Sequence, residues 1–210
     1  MKKTIIAIIR LLFSALFFVL VLTGNLKIWL LLYIVGLILT PFFGRVYCAY
    51  VCPMNTMMRP VQDASRKFKI QRIKLANWME SPVLPWIMLA LTVLTMVLGK
   101  RILHQDLPVL LFLLGISVVV TFFFNSSFFH NGLCPYSILL RFAARKPRST
   151  RTVEASTCIR CKKCTKVCPS NAITMTGPQG TATINPSICH QCEACTDVCP
   201  SAAISYRWAK

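Results

Sequence analysis

Acidic side chains are scarce in this chain. Six Asp and Glu stand against 24 Lys and Arg, giving a formal net charge of +18. Histidine is scarcer, at His104, His130 and His190 only. There is no glycine fingerprint for a dinucleotide, no phosphate-binding loop and no plausible catalytic triad, so no substrate chemistry is visible. The polar composition of a single soluble domain is missing too. Of the 210 residues, 55% are hydrophobic, and the mean hydropathy is +0.60. That balance suits membrane spans joined to a small domain.

Four apolar runs, over about 5–23, 26–43, 82–98 and 107–124, are expected to cross the membrane. The first is interrupted only by Arg10. A cleaved leader is its rival reading, but no small-x-small cleavage site appears and a second apolar run follows at once. Gly24-Asn25 signals the turn between them. Ser81-Pro82, and again Asp106 with Pro108, offer a cap and an early proline for spans three and four. No histidine falls mid-span, which excludes a bis-His haem held by this chain alone. No ionisable residue sits at the centre of spans two to four, so an intramembrane proton path has no support. His104 and Asp106 on the outer hairpin suggest either a quinol site or simply a loop histidine and a helix cap.

Basic residues cluster beside the apolar runs, which points to membrane orientation and anionic lipid rather than nucleic acid. Lys27, Lys100 and Arg101 are the three on the hairpin tips, against fifteen in the N-terminus, residues 44–80 and residues 141–151. The excess places both termini in the cytoplasm, and four spans return the chain to the side where it began. The basic segment 59–80 reads equally as an amphipathic helix in the interface or as a solvated loop.

The densest chemistry lies between Cys158 and Pro200. Cys158, Cys161, Cys164 and Cys168 are followed, 31 residues on, by Cys189, Cys192, Cys195 and Cys199. Each half reads C-x2-C-x2-C-x3-C-P, the bacterial iron–sulfur run. Three thiols of one tight loop meet three corners of a cubane, and the fourth serves the other cluster. A first [4Fe–4S] cluster is therefore expected on Cys158, Cys161, Cys164 and Cys199, and a second on Cys189, Cys192, Cys195 and Cys168. Zinc sites more often use paired C-x2-C motifs. A disulfide framework belongs to small secreted domains, whereas the basic flanks put this one in a reducing compartment.

A second set lies at the span ends. Cys48-x3-Cys52-Pro53 follows span two and His130-x3-Cys134-Pro135 follows span four. Ligands four apart share one face of a helical turn, and the expected topology puts both pairs at one membrane surface. Cys48, Cys52, Cys134 and His130 are thus candidates for a further metal or iron–sulfur centre. Packing thiols and an interfacial histidine are the alternative. The two segments look like internal duplicates, with His130 standing where the first has Cys48.

Residues 154–206 resemble the two-cluster bacterial ferredoxins. With Gly44-Arg45-Val46-Tyr47-Cys48-Ala49-Tyr50-Val51-Cys52-Pro53 added, nearly all of 26–206 resembles the membrane polyferredoxins of the NapH/NosR/CcoG type. The departure is His130, where that family usually carries a second C-x3-C-P. The resemblance implies a membrane α-helical four-span bundle over 1–140, a basic linker over 141–153, and a cytoplasmic α+β domain of the bacterial 2[4Fe–4S] ferredoxin type over 154–210. It implies a bacterial or archaeal cytoplasmic membrane and an electron-transfer role. The expected partners are a membrane redox subunit, a cytosolic electron donor or acceptor and anionic lipid, with quinone as a further candidate cofactor. An assembly or redox-sensing accessory subunit is the alternative function, and metal handling for a transporter or oxidase a third. Arg160, Lys162, Lys163 and Lys166 lie around the first thiol loop, and Glu193 and Asp197 around the second. Cations favour the reduced state, so the first cluster is expected to have the higher potential. Following the basic linker directly, it is also expected nearer the membrane.

Overall fold

The computed structural model describes residues 2–68, 70, 81, 83–103 and 108–208. The end of the basic segment at 71–80, Pro82, His104 and Asp106 lie outside the described residues. The chain forms two compact units, 1–34 with 50–139, and 35–49 with 140–210. The C-terminal part of the second apolar helix and the turn after it therefore fold with the cysteine-rich domain.

In the first unit, α1 (Lys2–Leu22) and the start of α2 (Leu26–Phe43) form a hairpin. Gly24 closes α1 at φ +71°, a left-handed geometry that glycine adopts without a Cβ penalty. The Asn25 N–H then reaches back to the Leu20 carbonyl at 3.0 Å. Phe17, Leu20 and Trp29 are buried between the two helices, with the Phe17 and Trp29 rings edge-on at 5.2 Å. Next come α3 (Pro53–Lys67), α4 (Leu84–Leu98) with a π-helical turn at Gly99–Leu103, and α5 (Val109–Phe123). Met54 and Met58 of α3 pack on Val109 and Leu113 of α5. Gln62 reaches Asn125 at 3.1 Å, and Asn125 caps the short α6 (Ser126–Phe128). So the first part of the basic segment 59–80 is helical, with Gln62 and Ser65 buried. A π-helical turn, Phe129–Leu133, leads into α7 (Pro135–Ala143).

Among the described residues, three helical segments are long and apolar enough to cross a membrane: Thr4–Leu22, Leu26–Phe43 and Leu84–Ile102. The fourth expected span is α5, apolar but only 15 residues long. At 1.5 Å per residue that is about 22 Å, short of a hydrocarbon core of roughly 30 Å. The extended backbone of Phe124 and the Asn125 cap stop it. Buried hydroxyls in these helices bond their own backbone, Thr40 to the Gly36 carbonyl and Thr92 to that of Met88, both at 2.7 Å. Such back-bonding satisfies a polar group where water is absent.

In the second unit, β1 (Ser149–Val153) pairs antiparallel with β4 (Ile204–Trp208), Ser149 opposite Trp208 and Val153 opposite Ile204. Short strands β2 (Ile173–Thr174) and β3 (Thr183–Ile184) form a second ladder. Two short helices, α8 (Lys163–Val167) and α9 (Ala194–Asp197), complete the domain. The expected linker at 141–153 thus contains the end of α7 and the whole of β1. Charge hid the strand signal there, since Thr150, Thr152 and Val153 are β-branched.

Candidate iron–sulfur centres

The thiol loops turn through backbone that side chains rarely adopt. Arg160 and Lys162 have φ +58°, and Gln191 and Glu193, each 31 positions later, have φ +59° and +68°. Asn171 and Ala202, after the crossing cysteines, form a third such pair at +53° and +51°. Arg160, Lys162, Gln191 and Glu193 each turn the chain between successive thiols of a run. None of the six is glycine, so each carries a steric cost. The loops then enter α8 and α9, which bury the third thiol of each run, Cys164 and Cys195.

Two cavities result. One is lined by Cys158, Cys161, Cys164 and Cys199. The other is lined by Cys168, Cys189, Cys192 and Cys195. The two fourth thiols change places between repeats, so each cavity gathers four sulfurs from both halves of the domain. Val153, Ala203 and Ile204 back the first cavity, while Arg151 and His190 flank the second. Among the described residues no three His, Cys, Asp or Glu side chains converge tightly enough for a single metal ion. A cubane takes one thiolate at each of four separate irons, so its ligands need not meet at a single point.

The donor chemistry also fits a cationic iron core. Burial, followed by the charge of neighbouring thiols, pushes Cys189 up to about 12. Cys195 rises to about 11, again chiefly through burial, and Cys164 shifts the same way. At Cys199 burial acts upward, but the Ser201 hydroxyl and the backbone N–H groups of Ala203, Ser201 and Ile204 outweigh it and the thiol falls. Cys168 receives the Ala172 N–H at 3.2 Å. Clustered buried thiols resist ionising together, and iron supplies the charge that lets them act as thiolates.

Arg151 was expected only as a linker charge. It is buried on β1, its Nη1 donates to Thr196 Oγ1 at 2.8 Å and its Nη2 pairs with Glu193 at 2.9 Å. Its guanidinium also lies over the Tyr206 ring, 5.8 Å from the centroid.

The span-end set divides between the units. Cys52, His130 and Cys134 belong to the first and Cys48 to the second. Cys52 and Cys134 join one apolar cluster with Tyr136, while the buried His130 ring meets that of Phe129 edge-on at 6.0 Å. The local fold is repeated. A π-helical turn at Tyr47–Val51 leads to extended Cys52 and Pro53-led α3, and another at Phe129–Leu133 leads to extended Cys134 and Pro135-led α7.

Comparison with known protein families agrees with this anatomy. A family described as the 4Fe-4S dicluster domain matches residues 157–203. A second, described as a 4Fe-4S binding domain, matches residues 27–71 and again 106–153, the two segments that carry the span-end motifs. No curated protein and no solved structure matches the chain. With its span-length helices and two four-thiol cavities, the chain is a membrane-associated iron–sulfur protein that binds two [4Fe–4S] clusters.

Proposed function

We propose that this protein is a membrane-anchored electron-transfer protein of the polyferredoxin type, relaying single electrons at the cytoplasmic face. Cys158, Cys161, Cys164 and Cys199 hold the first cluster, and Cys168, Cys189, Cys192 and Cys195 the second. The observation that carries the reading is the pair of four-thiol cavities with crossed fourth thiols, in a chain with three span-length apolar helices among its described residues. Bound clusters supply one-electron chemistry, and the protein sets their position and potential. Electrons then pass between a cytosolic donor or the quinol pool and a membrane redox partner. Cys52, Cys134 and His130, which fall in one unit, are candidates for a further centre, a reading favoured by the family match over both of their segments.

Anaerobic purification tests the assignment. The ferredoxin half should hold about eight iron and eight labile sulfide, and any stable excess iron belongs to the span-end set. Rapid, reversible reduction by quinol or a cytosolic donor supports relay. Clusters that turn over with neither, yet are needed for maturation of a partner enzyme, would assign the chain to the accessory class instead.

A further inference from the structure

The second apolar helix ends against the loop of the second cluster. Gly44, at φ +71°, lies so close to Gln191 that a Cβ would meet its side-chain nitrogen at 2.8 Å. Gln191 sits between Cys189 and Cys192 and is itself fastened. Its Oε1 accepts the Arg151 N–H at 3.2 Å and its Nε2 donates to Thr150 at 2.9 Å. Arg45 follows Gly44 and is fully buried. Its Nη1 lies 3.5 Å from the carbonyl oxygens of both Ser187 and Ile188, a shared and therefore long geometry. Its Nη2 lies 3.6 Å from Cys48 Sγ. Those two carbonyls immediately precede Cys189. Two more bonds fix the same helix end, from the Arg148 N–H to the Pro41 carbonyl at 2.8 Å and from the Tyr206 hydroxyl to the Phe43 carbonyl at 3.0 Å. These partners line neither cavity wall, but Ser187, Ile188 and Gln191 belong to the chain segment that carries Cys189 and Cys192, and none belongs to the segment that carries Cys158, Cys161 and Cys164.

We propose that Arg45 is a positioning residue for the second cluster, and that the second cluster, not the first, is the one held at the membrane helix. Gly44 and Arg45 clamp the 187–192 loop from both sides of Cys189. Burying a guanidinium is costly unless its surroundings compensate. Four thiolates around an iron core carry net negative charge, so a buried cation here has the sign that favours the reduced state. The first loop, with exposed Cys161 and four exposed cations, is left for a soluble partner. This assignment rests on the electron-transfer reading for its meaning, but its geometry is tested separately.

The test uses the full chain, purified anaerobically and reconstituted in lipid nanodiscs. Cys161→Ser and Cys192→Ser mark which EPR signal belongs to which cluster. Arg45→Gln should lower the midpoint potential of the second cluster and broaden its signal, leaving the first unchanged. Arg45→Lys keeps the charge and should recover most of the potential while the broadening persists. Gly44→Ala should broaden the second signal alone, and it decides the matter if Arg45→Gln does not accumulate. A headgroup-labelled nitroxide lipid should relax the second cluster more than the first. Equal shifts in both clusters, no shift in either, or stronger relaxation of the first would overturn the proposal. If the selective effects appear but neither quinol nor a cytosolic donor reduces the protein, the positioning role stands and the relay reading fails.

Discussion

Of the six left-handed residues around the thiol loops, the five other than Asn171 cost about 1–2 kcal/mol each. Their sum, on the order of 10 kcal/mol, rivals the whole stability of a small domain. The six recur at the same offsets in both repeats, four of them between the first and third thiols of a run and two just after the fourth. The exchange of Cys168 and Cys199 between cavities has a direct consequence. Cys199→Ser, although in the second motif, should destroy or convert the first cluster, halving the iron or giving a three-iron EPR signal. The second cluster should survive. Loss of the second cluster in that variant would show that the thiols do not cross. Charge matters at the same scale. Lys162 and Lys163 are exposed and screened by salt, whereas Arg151 is buried against the second cavity, though partly neutralised by Glu193. Arg151→Gln should therefore lower the second cluster's potential by more than Lys162→Gln with Lys163→Gln lowers that of the first. The reverse ranking, read by redox titration with EPR, would restore the simpler count of loop charges.

Strands β1 to β4 are two to five residues long and share a core of Ile173, Ala182, Ile204 and two cysteines. So small a core cannot carry the loop strain, and metal binding is folding energy for a domain of this kind. Chelating iron from the full chain should abolish the strand contribution to far-UV circular dichroism while the helical signal of α1, α2 and α4 persists. Strands that survive iron removal would show that the polypeptide is sufficient. Much of this was legible in the sequence because thiol spacing and long apolar runs are local signals. The expected exchange of thiols was read from the C-x2-C-x2-C-x3-C-P spacing alone. Other features were not local. β1 was masked by its basic neighbours, since pairing with Ile204–Trp208 is made across more than fifty positions. Arg45 and Arg151 looked like charges for topology or lipid, because a sequence does not show which arginines become buried. The fourth apolar run was counted as a span on hydropathy, but Asn125 caps the next helix and leaves α5 short.

At the scale of the whole molecule the charge is lopsided in a useful way. Net charge is +18, and Arg160, Lys162, Lys163 and Lys166 gather around the exposed Cys161 with Ile159 also exposed. A cationic rim around an accessible redox edge suits transient docking of an acidic electron carrier, where long-range attraction speeds encounter more than it deepens affinity. The same cations would also serve anionic lipid, so the two partners must be separated by experiment. With a small acidic ferredoxin as donor, the rate of cluster reduction should fall steeply as salt rises, because the Debye length shrinks from about 30 Å at 0.01 M to about 10 Å at 0.1 M. Lys162→Glu with Lys163→Glu should slow reduction about tenfold at low salt and flatten the salt dependence. The EPR spectrum of the second cluster should not change, since its loop is fastened elsewhere, to Gly44 and Arg45. A different result has a clear meaning. If reduction rates hold while binding to phosphatidylserine vesicles weakens, the loop meets headgroups, and the soluble carrier must dock on another face.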